Sequence, residues 1–282
     1  MKKLFFVVII FWMCFFLPGR TLADTSTGFG KIKVVVSGYA LYKVLADIFP
    51  VEDLYLLQPP RGEFHFFEPS LSQWKLLQTA KMVVVVGTEP WINRLYTLRK
   101  DKPIFSLCKK GERLKDPHLW FDLKRISRLL ERLIACIKKD NGFKIKEVLK
   151  RYEKFKERLK KLEEERKFDN CRYKKIFLLG HPVFYYLFKG TDIKEIALVK
   201  GHYHEGEPSL RTLLSMIEEV KKRDKKVVFL TDPEFIRYKE LFKRQGIEVE
   251  ELWSGDTMEK GDFFELLEKD LKKIRESLEC KE

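Results

Sequence analysis

The sequence predicts an α/β protein of two parallel-sheet lobes, each of about four strands with flanking helices, joined by a long helix. Three observations predict it. Short apolar runs alternate with amphipathic stretches through both halves, which is the pattern of strands and helices stacked in covered parallel sheets. A highly charged segment with helical spacing separates the halves. A short motif recurs at the same place in each half. A length of 282 residues suits one large or two smaller lobes.

Taken in order, Lys33 to Val36 is rich in β-branched residues and Tyr39 to Phe49 has helical spacing. Asp53 to Leu57 and Met82 to Val86 read as further strands, the second followed by a helix near Trp91 to Leu98. Pro103 to Leu107 reads as the fourth strand. The second half repeats the plan with strands at Lys175 to Leu179, Glu195 to Val199, Val227 to Leu230 and Glu248 to Leu252. The last helix runs from about Asp262 to Leu278.

Between the halves, Leu123 to Lys167 is broken once, at Asp140-Asn141-Gly142. Lys144 to Lys167 lacks Pro and Gly, and Val148, Leu149, Tyr152, Phe155, Leu159 and Leu162 recur at helical spacing. Such a stretch fits a surface helix of one domain or a rigid rod between two lobes; its position between two complete α/β units favours the rod. The expected organisation is a signal peptide at 1–23, an N-terminal lobe at 24–142, a connecting helix at 143–167 and a C-terminal lobe at 168–282. The recurring motif is His65-Phe-Phe-Glu-Pro-Ser-Leu71 and His204-Glu-Gly-Glu-Pro-Ser-Leu210. Pro near a helix start and Ser70 with Gln73 as a capping box explain part of it. Helix-start chemistry does not explain a histidine three residues before Glu in both copies.

The N-terminus reads as a secretory signal. Lys2 and Lys3 precede an apolar run from Leu4 to Leu17, and Thr21-Leu22-Ala23 offers small residues for cleavage before Asp24. The run is shorter than the roughly 20 apolar residues a membrane span needs. Cys14 follows Phe11-Trp12-Met13, without the small residues of a lipoprotein signal. The expectation is a soluble periplasmic protein that does not itself span a membrane after cleavage. Its formal charge is +14, and loss of Lys2, Lys3 and Arg20 would leave +11. The basic residues are interleaved with glutamates, as in Lys154 to Lys167, which argues for solvated faces and against nucleic acid as a partner. No C-x-x-C pair is present, so a thiolate zinc site is not expected. An oxidising compartment permits disulfides, and Cys171 with Cys280 is the favoured pair over Cys108 with Cys136.

The five histidines are His65, His118, His181, His202 and His204. Each falls just after an expected strand or just before a helix start, and open parallel sheets bind ligands at the carboxyl ends of their strands. A lone loop histidine is usually a polar surface residue; five in such positions form a different pattern. Imidazole is a common ligand for zinc, copper, nickel and iron, and zinc takes three or four such donors in a tetrahedron. H-E-x-x-H, G-x-S-x-G and a phosphate-binding Gly-rich loop are all absent, which removes the common hydrolase and nucleotide signatures.

At these residues the sequence resembles the zinc/manganese-binding solute receptors of bacterial ABC importers, along the whole mature chain. His65-Phe66-Phe67-Glu68-Pro69-Ser70 is similar to that family's first ligand motif, and Gly87-Thr88-Glu89-Pro90-Trp91 continues it. Asp116-Pro117-His118-Leu119-Trp120 is similar to the second, and His181-Pro182-Val183-Phe184-Tyr185-Tyr186 to the third. Glu207-Pro208-Ser209 and Asp232-Pro233-Glu234-Phe235 also fit. Four weak motifs in the correct order make a strong match. The resemblance implies a metal held in the cleft between the lobes by His65 and His118 from the first and His181 from the second. A histidine at the third position goes with Zn2+ in this family and a glutamate often with Mn2+, so zinc is the first choice. The chain departs from the pattern at the fourth ligand, where the family often places an aspartate directly after the last strand. Leu252-Trp253-Ser254-Gly255-Asp256 sets Asp256 off that position. The fourth donor is left open among Asp256, His204, Glu63 and a water molecule. His204 enters through the pseudo-symmetry of the repeated motif.

What the resemblance implies is capture and release without bond chemistry: a monomeric receptor that delivers its ion to the membrane permease of an ABC importer. Three other readings use the same residues. A receptor for a corrinoid, haem or siderophore could share the architecture. A zinc-dependent hydrolase would need a general base, with Glu63 or Glu205 nearest. An adhesin or metal chaperone could carry the same site.

Overall fold

The computed structural model describes residues 32–59, 64–140, 142–199, 201 and 207–281. The expected signal peptide at 1–23, Glu63 and His204 lie outside these residues.

The first sheet is built from β1 (Val34–Val36), β2 (Leu54–Leu56), β3 (Met82–Val85) and β4 (Ile104–Ser106), all parallel, in the order β2-β1-β3-β4. The second repeats it with β5 (Lys175–Leu179), β6 (Lys194–Ala197), β7 (Val227–Leu230) and β8 (Glu248–Glu251) in the order β6-β5-β7-β8. The central strands β1, β3 and β7 are continuous apolar runs buried on both faces, as parallel sheets covered by helices require. Charged residues are concentrated on the outer strands β6 and β8, where they discourage edge-to-edge pairing. In each sheet the chain steps from its first strand to one side and then to the other. A crevice therefore opens beyond the carboxyl ends at that reversal.

The helices start where the sequence supplies caps. Ser70 and Gln73 form the capping box of α2 (Leu71–Thr79), and Asp262 with Glu265 forms another for α9 (Phe263–Ser277). The remaining helices of the first half are α1 (Tyr39–Ala46), α3 (Ile92–Leu98) and α4 (Leu123–Ile137). α5 (Ile145–Glu165) follows, then α6 (Tyr185–Phe188), α7 (Leu210–Lys221) and α8 (Lys239–Arg244). Proline suits the first position of a helix, yet α6 begins three residues after Pro182. Val183 and Phe184 donate their N–H groups to the Glu195 carboxylate, at 2.9 and 2.7 Å, instead of entering a helix.

The 21-residue α5 is the connecting element, about 32 Å long at the usual rise. It is not a bare rod. Val148, Tyr152, Phe155, Leu159 and Leu162 are buried against α4 and α9, while Glu147–Arg151 and Glu153–Lys156 pair on the solvent side. Phe155 meets Phe264 at 4.7 Å and Phe263 at 6.3 Å. α9 also packs on α1, so side chains from both sheets join one buried cluster through α1, α4, α5 and α9. The chain's end is fastened by a Cys171–Cys280 disulfide, the pair favoured from the sequence. Cys108 and Cys136 are free.

Candidate metal centre

Four loops, each leaving the carboxyl end of a strand, converge on one point. His65 sits in a single 3-10 turn, Phe64–Phe66, between β2 and α2. Phe64 is buried there with its ring edge-on to Trp120, centroids 5.3 Å apart. That ring lies over Gly38, where a Cβ would come within 3.0 Å of it. His65 is thereby turned inward and is only 5 % exposed.

His118 follows β4 and is fully buried. One oxygen of Asp116 accepts from the His118 backbone N–H and faces its Nδ1, both at 2.8 Å. A carboxylate can only accept from a neutral ring, so Nδ1 carries the proton and Nε2 presents its lone pair. The Asp116 carbonyl accepts from the Tyr186 hydroxyl at 3.1 Å, a tie to the second lobe.

His181 stands two residues past β5, after Gly180 at φ +152°. The glycine is required: a Cβ there would lie 2.9 Å from Asp232 Cβ. Asp232, just after β7, has a carboxylate oxygen 3.7 Å from His181 Nδ1. Glu195 braces the residues after His181 through the two N–H groups already described. Burial pushes its carboxyl up to about 7, partly offset by those donors.

Asp256 comes from the loop after β8. Gly255 before it has φ +88°, and a Cβ there would lie 2.7 Å from Trp120 Cδ1. Only glycine accepts that backbone at that separation. Trp120 Nε1 donates to the Ser254 carbonyl at 2.9 Å, and Gln58 Nε2 donates to the Asp256 carbonyl, also at 2.9 Å. Asp270 on α9 accepts from Trp253 N–H at 2.8 Å, and burial raises its carboxyl well above the usual range.

The result is a compact donor set. His65 Nε2 lies 3.2 Å from His118 Nε2, which lies 3.1 Å from His181 Nε2. Donor atoms of these three rings and of Asp256 all fall within 4.8 Å of one another. Three neutral imidazoles and one carboxylate can together offset half the charge of a divalent cation.

Of the residues singled out in the sequence, His65, His118, His181 and Asp256 are brought together; Glu63 and His204 are outside the described residues. The shift of Asp256 along its loop does not keep it from the cluster, because Gly255 turns the chain back. Sequence reasoning missed the supporting groups Asp116, Asp232, Gln58, Glu195 and Asp270. Asp116 and Asp232 stood inside the quoted motifs. Gln58 carried no local signal, since its partner is 198 residues away.

Residues 34–277 match the family model described as ZnuA, zinc-uptake complex component A, periplasmic. The chain belongs to this family. Among relatives of the ZnuA-family chain is the zinc-binding protein AdcA of Streptococcus pyogenes serotype M1. It is 23 % identical over 317 aligned positions that cover 98 % of this chain and 61 % of the relative. The zinc-binding lipoprotein AdcA of Streptococcus pneumoniae strain R6 is 24 % identical, over 88 % of this chain and 56 % of its own length. The chain thus spans about three-fifths of the curated relatives it matches. The fold is that of the zinc(II)-bound ZnuA-like domain of Streptococcus pneumoniae AdcA, with TM-score 0.70 and 22 % identity. That alignment covers 88 % of this chain and 99 % of the domain. Bacillus subtilis YcdH, a metal-dependent lipoprotein, aligns with TM-score 0.73 and 20 % identity over 88 % of this chain and all of its own. Two parallel four-strand sheets are therefore the family's architecture, as expected. Among the described residues, no helix is long and apolar enough to cross a membrane.

Proposed function

We propose that this ZnuA-family chain captures a zinc ion outside the cytoplasm and delivers it to the membrane permease of an ABC importer. His65, His118, His181 and Asp256 are the ligands in this reading. The observation that carries it is the convergence of three imidazole Nε2 atoms and a carboxylate from four loops of both lobes. A tetrahedral zinc with nitrogens at 2.0–2.1 Å sets neighbouring donors roughly 3.3 Å apart. The separations of 3.1 and 3.2 Å are close to that spacing. Three nitrogens and one oxygen suit zinc better than manganese, which prefers more oxygen donors. The zinc-binding AdcA relatives support the same cargo.

The rival readings fit the geometry less well. Nitrogens this close leave room for an ion but not for a corrinoid, haem or siderophore between them. Four protein donors complete a tetrahedral zinc and leave no position for the activated water a hydrolase needs. Capture and release therefore requires no bond chemistry. Each imidazole must be neutral to bind, so protons compete with the ion and acid favours release. In this reading the chain acts as a monomer, and the family description supports a periplasmic location.

The test is a competitive titration of the metal-stripped protein with zinc and manganese. One tight zinc per chain that excess manganese does not displace is expected. Manganese preference would shift the weight to oxygen donors, and no tight binding of either ion would overturn the reading.

A further inference from the structure

Asp256 is delivered by the second lobe's last strand, yet its loop is also bonded by residues of the first lobe. Gln58 Nε2 donates to the Asp256 carbonyl, Trp120 Nε1 donates to the Ser254 carbonyl, and Lys43 Nζ donates to the carbonyls of Glu259 and Gly261. Gln58, Trp120 and Lys43 all lie in the first half of the chain. Of these three, Gln58 is the one that bonds Asp256 itself. It is 2 % exposed, and its amide is fixed at both ends. Its Oε1 accepts from Tyr39 N–H at 3.2 Å, at the first turn of α1, so its Nε2 must be the end that meets the Asp256 carbonyl. A backbone N–H cannot accept and a carbonyl cannot donate, which leaves no second orientation of the amide. Close packing holds it there, because a Cβ at Gly38 would already lie 3.3 Å from Gln58 Oε1.

We propose that Gln58 is a positioning residue for Asp256: it ties the loop that carries the fourth ligand to the first lobe. The inference rests on the reading of Asp256 as a ligand. Its consequence is mechanical: without the Gln58 bond the loop that carries Asp256 loses its direct tie to the lobe that holds His65 and His118. Groups that support metal ligands typically change affinity by roughly 10- to 100-fold when removed.

The test is a double-mutant cycle on zinc affinity with the whole chain, read by competition against a chromophoric chelator, using Gln58→Met and Asp256→Ala singly and together. Gln58→Met is expected to weaken zinc about tenfold in the wild-type background and less than about twofold in the Asp256→Ala background. Gln58→Glu keeps the acceptor for Tyr39 N–H and loses the donor, so its loss should likewise vanish when Asp256 is absent. Metal-free thermal melts of each variant identify any that fails to fold; Gln58→Glu then carries the cycle if Gln58→Met does not fold. An equal loss in both backgrounds would show general damage and overturn the inference. So would an unchanged affinity of both Gln58 variants while Asp256→Ala weakens binding. An unchanged affinity of Asp256→Ala would instead overturn the ligand assignment, and this inference with it.

Discussion

Replacing Asp116 by Ala removes one carboxylate oxygen that two donors share, the His118 backbone N–H and the His118 ring, both at 2.8 Å. Asp116 is 3 % exposed and His118 is fully buried, so water does not readily take over the lost bonds. A buried donor left without a partner costs about 1–3 kcal/mol, and the metal-free protein should lose stability in that range. The ring also loses the acceptor that holds its proton on Nδ1. Its orientation and tautomer are then no longer selected, and zinc affinity should fall by roughly 10- to 100-fold. Asp116→Asn keeps an oxygen of the same reach and drops only the charge, so its losses should be smaller on both measures. Urea unfolding of the metal-stripped variants gives the first quantity and chelator competition the second. An Asp116→Ala protein that binds zinc within twofold of wild type would refute the reasoning, even if it were less stable.

Glu195 is an acid whose carboxyl is raised by burial from 4.5 to about 7 in the folded protein. Below about pH 4.5 it is neutral in both states. Between that pH and about 7 only the unfolded chain ionises, so the stability this group contributes falls as pH rises through the window. Glu195→Gln keeps an acceptor for Val183 and Phe184 and has no charge to desolvate. Relative to wild type, metal-free Glu195→Gln should gain on the order of 2–3 kcal/mol between pH 5 and pH 8; a constant difference across that range would contradict the assignment. The Cys171–Cys280 disulfide closes a 109-residue separation. Chain-entropy arguments give a loop of that length a stabilisation of about 2–5 kcal/mol. Cys171→Ser with Cys280→Ser should therefore lower the thermal midpoint and leave zinc affinity unchanged, since the bond joins the far end of α9 and not the site loops. A loss of zinc affinity in the folded double variant would show that α9 transmits its position to Asp256.

The strands and long helices were legible because each is a local pattern. Val34–Val36, Met82–Val85 and Val227–Leu230 are runs that only a doubly covered parallel strand would bury, and their observed ends lie within a residue or so of those expected. The cap at Ser70 was equally local. The start of α6 was not, because the N–H groups of Val183 and Phe184 are claimed by Glu195 from a neighbouring strand. The role of α5 was half legible. Its apolar spacing showed a buried face, but not that α4 and α9 would cover it and merge both lobes into one core.

By itself, the sequence determined the two-sheet α/β architecture, the family motifs and three histidines placed at strand ends, since hydrophobic period and turn chemistry act over a few residues. Tertiary structure alone decided that Asp256 reaches the three imidazoles, that Asp116 orients His118, and that Gln58 reaches across to the Asp256 backbone. These are meetings of loops from different strands, up to 198 residues apart in sequence. Their geometry depends on how two sheets are docked through α1, α4, α5 and α9, and no local propensity encodes that docking.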